Sequence, residues 1–213
     1  MATKRPRRSH DVSPNNPCPF LRALVARGDL PDGQVPLGEL SGRIVRVARS
    51  GEGEPRLPAA AIHAIALIAN GLSPLQVLKT QLQGVRLDAL RDGPLDKHGV
   101  GSGILDARGE VDPAELDRLG EFASDKRDAT GRREPGLDLK DLRRMMDANF
   151  ARAAGRRRIV DRAMMDGEWP VLLKVMGKPG AAGRYLSVAE LRELFTKRQL
   201  PARMVARLDA QYA

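Results

Sequence analysis

Apolar side chains along this chain recur at spacings of three and four rather than two. Phe20, Leu21, Leu24 and Val25 follow that rhythm, and Gly28 marks the stop of the helix they predict. The run from Ala59 to Asn70 is nearly all apolar, which predicts a helix buried on most of its faces, closed by Gly71 and central to the fold. Ser73-Pro74 supplies an N-cap with proline at the first helical position, opening a helix that carries Leu75, Val77, Leu78 and Leu82. Asp112-Pro113 starts another through about Ser124, and helices are predicted over Asp138 to Ala154, Arg162 to Val175 and Ser187 to Leu194. Arg43 to Val47 suits either a helical turn or a short strand. Gly51 to Pro55, the glycine-rich stretch from Leu87 to Gly109 and the charged run from Lys126 to Pro135 read as connections. Because few segments alternate with period two, the pattern predicts an all-α fold: one compact helical domain over 17–213 behind a disordered basic tail, 1–16.

At 213 residues the chain is long enough to bury one substantial core. It has no apolar stretch of membrane-spanning length, and its first residues lack a hydrophobic leader, so the expectation is a cytoplasmic protein with no membrane partner. A formal charge of +9 arises from 36 basic and 27 acidic residues, with Lys4, Arg5, Arg7 and Arg8 in the tail. Such a tail can touch phosphates nonspecifically, but no zinc motif or RNA-binding signature accompanies it, so a solvated tail is the simpler reading. Nor is there a Walker loop, a dinucleotide fingerprint or a Ser-His-Asp set.

The sequence's single cysteine lies in Asn16-Pro17-Cys18-Pro19-Phe20, where no internal disulfide can form. Pro19 falls where the first helical turn begins, with its φ preset and no N–H to waste, which puts Cys18 near the N-cap. The free N–H groups of the next residues and the positive end of the helix dipole favour a thiolate there. Two readings stay open: a fixed ligand or nucleophile, or an idle cysteine ahead of a buried helix.

Pro17-Cys18-Pro19, an apolar helix and then Gly28-Asp29-Leu30-Pro31-Asp32-Gly33 together resemble the heme-binding motif of the heme-thiolate peroxidases, the chloroperoxidase and unspecific peroxygenase family, of which this chain would be a divergent bacterial-type member. The resemblance implies a helical heme pocket with heme b, the Cys18 thiolate as proximal iron ligand, and hydrogen peroxide used to oxidise or oxygenate a small organic substrate. A thiolate ligand pushes electron density onto iron and favours O–O cleavage. The family's cation-binding segment beside a heme propionate corresponds to Leu95-Asp96-Lys97-His98-Gly99 and Ile104-Leu105-Asp106-Ala107-Arg108-Gly109. Asp106 then replaces the family's glutamate, while Arg108 stands where a carboxylate belongs and would pair directly with the propionate, making magnesium unnecessary. His98 is either a displaced distal histidine or a surface loop residue.

Arg162-Ala-Met-Met-Asp-Gly-Glu168-Trp169 resembles the segment that delivers the family's distal acid-base glutamate, with Arg162 as the accompanying cation. The implied role of Glu168 is to move a peroxide proton, helped by a raised pKa in an apolar cavity formed by Met164, Met165, Trp169 and Leu172. Its alternative is a capping or surface carboxylate. The segment from Gly183 to Pro201 resembles the family's closing helix. His63 is a satisfied core histidine or faces the cofactor pocket.

Three segments, starting at Gly109, Gly136 and Gly183, also resemble the extended piece and capped helix of an EF-hand, yet none supplies the oxygen ligands that calcium needs. A noncatalytic EF-hand-like protein, a caleosin-like heme protein and a basic nucleic-acid-associated adaptor are therefore the competing readings.

Overall fold

The computed structural model describes residues 11–48, 57–71, 73–90, 102–153 and 159–209, without the side chains of 159–161, 163 and 164. Among them the chain is not all-α. Ten helices accompany six short strands in two antiparallel sheets, so the fold is mixed α/β.

Helix α1 (Pro19–Ala26) is buried from Pro19 through Val25. It, rather than the apolar run at 59–70, is the central helix. That run forms α3 (Ala59–Asn70), in which Ile62, Ala66 and Asn70 are buried and the other residues are half-buried or exposed. Arg43 to Val47 lies inside a longer helix, α2 (Leu37–Ala48). Helix α4 (Pro74–Gln83) starts as its sequence predicts, with the Ser73 hydroxyl accepting the N–H of Gln76. A two-stranded pairing of β1 (Gln34–Val35) with β2 (Val85–Arg86) ties the segment after α1 to the end of α4.

The larger sheet has the order β3-β4-β6-β5 and consists of two hairpins joined side by side. Helices α5 (Pro113–Asp117) and α6 (Leu119–Phe122) lead into β3 (Ser124–Arg127), which pairs with β4 (Arg133–Leu137) in the stretch expected to be a charged connection. β4 runs into α7 (Leu139–Arg152), where Asp138 and Asp141 form a capping box. Helix α8 (Ile159–Met176) then leads into β5 (Lys178–Gly180), β6 (Gly183–Ser187) and α9 (Val188–Lys197), before the terminal α10 (Ala202–Asp209). The hairpins meet where Gly136 pairs with Ser187 and Leu137 with Leu186. A β-carbon at Gly136 would lie 2.3 Å from the buried Tyr185 ring, so only glycine lets the ring cross the sheet there.

A polar cluster supports this sheet. Glu134 accepts hydrogen bonds from Lys178 at 2.7 Å, Tyr185 at 2.7 Å and Ser187 at 3.0 Å, and Lys178 also pairs with Asp128 at 3.0 Å. Burial pushes the Glu134 carboxyl up, but these three donors outweigh it and hold it below its ordinary value. The Thr130 hydroxyl, followed by Lys178, holds Asp128 well below the usual carboxylate range. Carboxylates whose folded pKa is depressed stabilise the fold above their unfolded pKa of about 4 and lose that contribution as pH falls through the folded value. We therefore expect the melting temperature to be level with respect to these groups above about pH 5 and to fall below about pH 4, with Glu134→Gln flattening the acid slope in calorimetric scans across pH.

Packing begins ahead of Pro17. Val12 and Asn16 are buried, and the N–H of Ser13 donates to Asp32 at 2.9 Å. The tail assigned to 1–16 is thus too long. Deleting residues 1–16 is expected to destabilise the protein by roughly 2–4 kcal/mol, because it also strips carbonyl partners from a buried arginine described below. Deleting 1–10 leaves these contacts in place and should lower the melting temperature less than deleting 1–16 does, as read by circular dichroism.

Candidate functional site

α1 contains one charged side chain, Arg22, and it organises the segment around the cysteine. Although only 2% exposed, its guanidinium donates to the carbonyls of Ser13 at 3.0 Å, Asn16 at 3.2 Å and Gly109 at 3.1 Å. Burial, and then the charge of Arg198, pull its pKa below the ordinary value, while Asp32 and Cys18 oppose that shift. Asn16 fixes the turn from the other side, its Oδ1 accepting the Cys18 N–H at 3.1 Å. Cys18 is the N-cap of α1, in extended backbone conformation, with Pro19 opening the helix. Its side chain makes no capping hydrogen bond to the first turn.

The sulfur's residue lines a cavity of about 160 Å³ that opens to solvent; with the space at its mouth, the atom-free volume reaches about 940 Å³. Its walls come from helical faces. α3 contributes Ile62, Ile65, Ala66 and Ala69, and α8 contributes Glu168, Val171, Leu172, Val175 and Met176. Both sets follow the i, i+3, i+4, i+7 spacing of a single helix face. Leu40 and Ile44 of α2, with Phe20 and Leu21 of α1, complete most of the remaining wall. Among the described residues, Cys18 and Glu168 are the ionisable members of this otherwise apolar lining. Pro170, within α8, lacks the N–H that would bond the turn before it.

The other expected site residues fall elsewhere. Arg162 pairs with Asp147 at 2.6 Å and Asp166 at 3.5 Å and is absent from the cavity wall. Six residues before Glu168 its side chain points about 120° away around the helix, toward α7, so it does not accompany the glutamate. Met165 and Trp169 are buried but do not line the cavity; Trp169, next to Glu168 on the helix, projects onto another face, while Leu172, four residues on, does line it. The Met164 side chain lies outside the described residues.

Asp106 and Arg108 are both exposed and away from the cavity. The Asp106 carboxylate is turned back on its own loop, accepting the N–H groups of Arg108 and Glu110 at 2.8 and 2.9 Å. It caps a turn rather than holding a cation or a propionate. Among the described residues no group of three or more histidine, cysteine or acidic side chains converges on a metal-sized space. His98 lies outside the described residues. His63 of α3 is half-buried and shares a 2.7 Å hydrogen bond with Ser41, whose hydroxyl bonds back to the Leu37 carbonyl, a satisfied structural arrangement outside the cavity lining.

Sequence reasoning did not identify Arg22 or Asn16 as parts of the site. Arg22 carried a signal, a lone charge in an eight-residue helix otherwise apolar, which must be buried and therefore bonded. No family model, curated protein or solved structure matches the chain.

Proposed function

We propose that this chain is a heme-thiolate peroxidase or peroxygenase that uses hydrogen peroxide to oxidise or oxygenate a small organic molecule. One observation supports this reading above the others: Cys18, from the start of the chain, and Glu168, from its last quarter, line the same apolar cavity. The donor set suits the iron-facing part of a heme, with one soft sulfur at a helix N-terminus and an aliphatic enclosure. Asp106 and Arg108 do not serve as propionate partners in this arrangement.

A thiolate-ligated heme, when bound, supplies the cleavage of the peroxide O–O bond. Cys18 would hold it through Sγ, on a turn fixed by Asn16 and by the carbonyls that Arg22 gathers. The Glu168 carboxylate would take the proton from one peroxide oxygen and return it to the other, which departs as water. The isoleucines of α3 and the valines of α8 would keep bulk water from the reacting atoms and present an aliphatic surface to the organic substrate. No charged group other than Glu168 and Cys18 faces that space among the described residues.

A second reading draws on the sheet. The strand-to-helix junctions at β4–α7 and β6–α9 pair side by side, as expected of an EF-hand-like scaffold, and the lysines there supply the positive charge: Lys178 sits between Asp128 and Glu134, and Lys126 pairs with Asp138 and with Asp141 at 2.7 Å. On that reading the protein is a noncatalytic helical scaffold and the cavity binds an apolar molecule without chemistry. Hemin titration separates the two. The proposed enzyme takes up heme stoichiometrically and, reduced under carbon monoxide, shows the difference spectrum of a thiolate-bound ferrous heme; a colourless protein that ignores hemin overturns the first reading and leaves the second.

A further inference from the structure

Helix α4 carries Leu75, Leu78 and Leu82 at helical spacing on one face, 77%, 52% and 77% exposed. They contribute little to the core, since the buried residue of this helix is Thr80. The helix has no acidic residue, and exposed Lys79 flanks the leucine row. α4 packs against α3, the helix whose Ile62, Ile65, Ala66 and Ala69 line the cavity.

We propose that this face docks on an anionic lipid surface, with the three leucines entering the boundary between headgroups and acyl chains. Charge complementarity points to that occupant: the chain carries +9, and Lys4, Arg5, Arg7 and Arg8 are concentrated at its start. An apolar helix face and a basic segment are each weak anchors, but together they meet the two-signal requirement for stable attachment. The area favours lipid over a second copy of the chain. The three side chains together expose roughly two leucines' worth of surface, a few hundred Å², whereas a stable protein interface buries about 800 Å² from each partner. Attachment is to a surface and not through it, because no helix among the described residues is long and apolar enough to cross a membrane. The proposal does not depend on heme.

The test is co-sedimentation of the full chain with vesicles of phosphatidylcholine alone and of phosphatidylcholine with roughly one-third phosphatidylserine. Partition into the anionic vesicles should exceed that into neutral ones by at least about tenfold and collapse at high salt. The combined Leu75→Ser, Leu78→Ser and Leu82→Ser variant should lose at least about tenfold in partition while its circular dichroism is unchanged. Leu82→Trp gives an independent readout, its emission shifting to the blue when anionic vesicles are added. Equal partition of the triple variant and the parent would overturn the proposal by assigning all binding to the basic tail. So would a Leu82→Trp emission indifferent to vesicles, or light scattering that shows a leucine-dependent dimer with no vesicle binding.

Discussion

Cys18→Ala should abolish specific heme uptake, weakening it by at least roughly a hundredfold, since even partners one shell removed from a metal commonly account for 10–100-fold. The chain has no second cysteine to substitute. Helical content should survive, because Pro19 sets the first turn and the Cys18 side chain makes no capping hydrogen bond that alanine would forfeit. Hemin titration of the variant measures the loss, and far-ultraviolet circular dichroism separates it from unfolding. An unchanged thiolate-type spectrum in Cys18→Ala would refute the ligand assignment outright. Loss of heme together with loss of helix would instead show that the thiol is a packing element of α1.

Glu168→Gln should slow the reaction of the heme-loaded protein with peroxide by roughly a hundredfold or more, the scale of losing a positioned acid-base group, while leaving heme uptake unchanged. Glutamine preserves the side chain's shape and its place on the α8 face, but it neither accepts nor returns a proton. Rapid mixing with peroxide reads the chemical step, and hemin titration reads binding. Glu168 is the carboxylate of the cavity lining, so an unchanged rate would leave the cavity without a proton carrier among the described residues and sink the peroxidase mechanism. Asp106 and Arg162 offer no rescue, since both are engaged elsewhere.

The helices were legible because their signals are local. Ser73-Pro74, Asp112-Pro113 and Asp138 with Asp141 are capping sequences, and all three open helices. The strands were hidden because they are short and polar: Ser124–Arg127 has no apolar alternation, and its partner includes Pro135 and Gly136. What specifies that hairpin is turn chemistry, the Asp128 carboxylate accepting the N–H groups of Thr130 and Arg132, together with a tyrosine that crosses a glycine. The extended pieces before Leu139 and Val188 were visible as an EF-hand-like pattern, but their pairing joins residues about fifty positions apart, which no local window contains. In the site, the thiol and the carboxylate were legible from motif resemblance. Their neighbours were not, because the face of α8 is set by angular spacing from Glu168: Val171, Val175 and Met176 share its side, and Trp169 does not.

Gly109 adopts a positive φ of 72°, and a β-carbon there would lie 2.8 Å from the Arg22 guanidinium that its own carbonyl accepts. Arg22 in turn donates its backbone N–H to the Cys18 carbonyl. In a genetic screen for loss of function, substitutions at codon 109 should therefore appear beside those at codon 18, although residue 109 is far from the thiol in sequence and outside the cavity. Such alleles would be hypomorphs, with a sulfur that is present but misplaced, and shortening residue 22 should not rescue them, because the Ser13 and Asn16 carbonyls would then lose their donor.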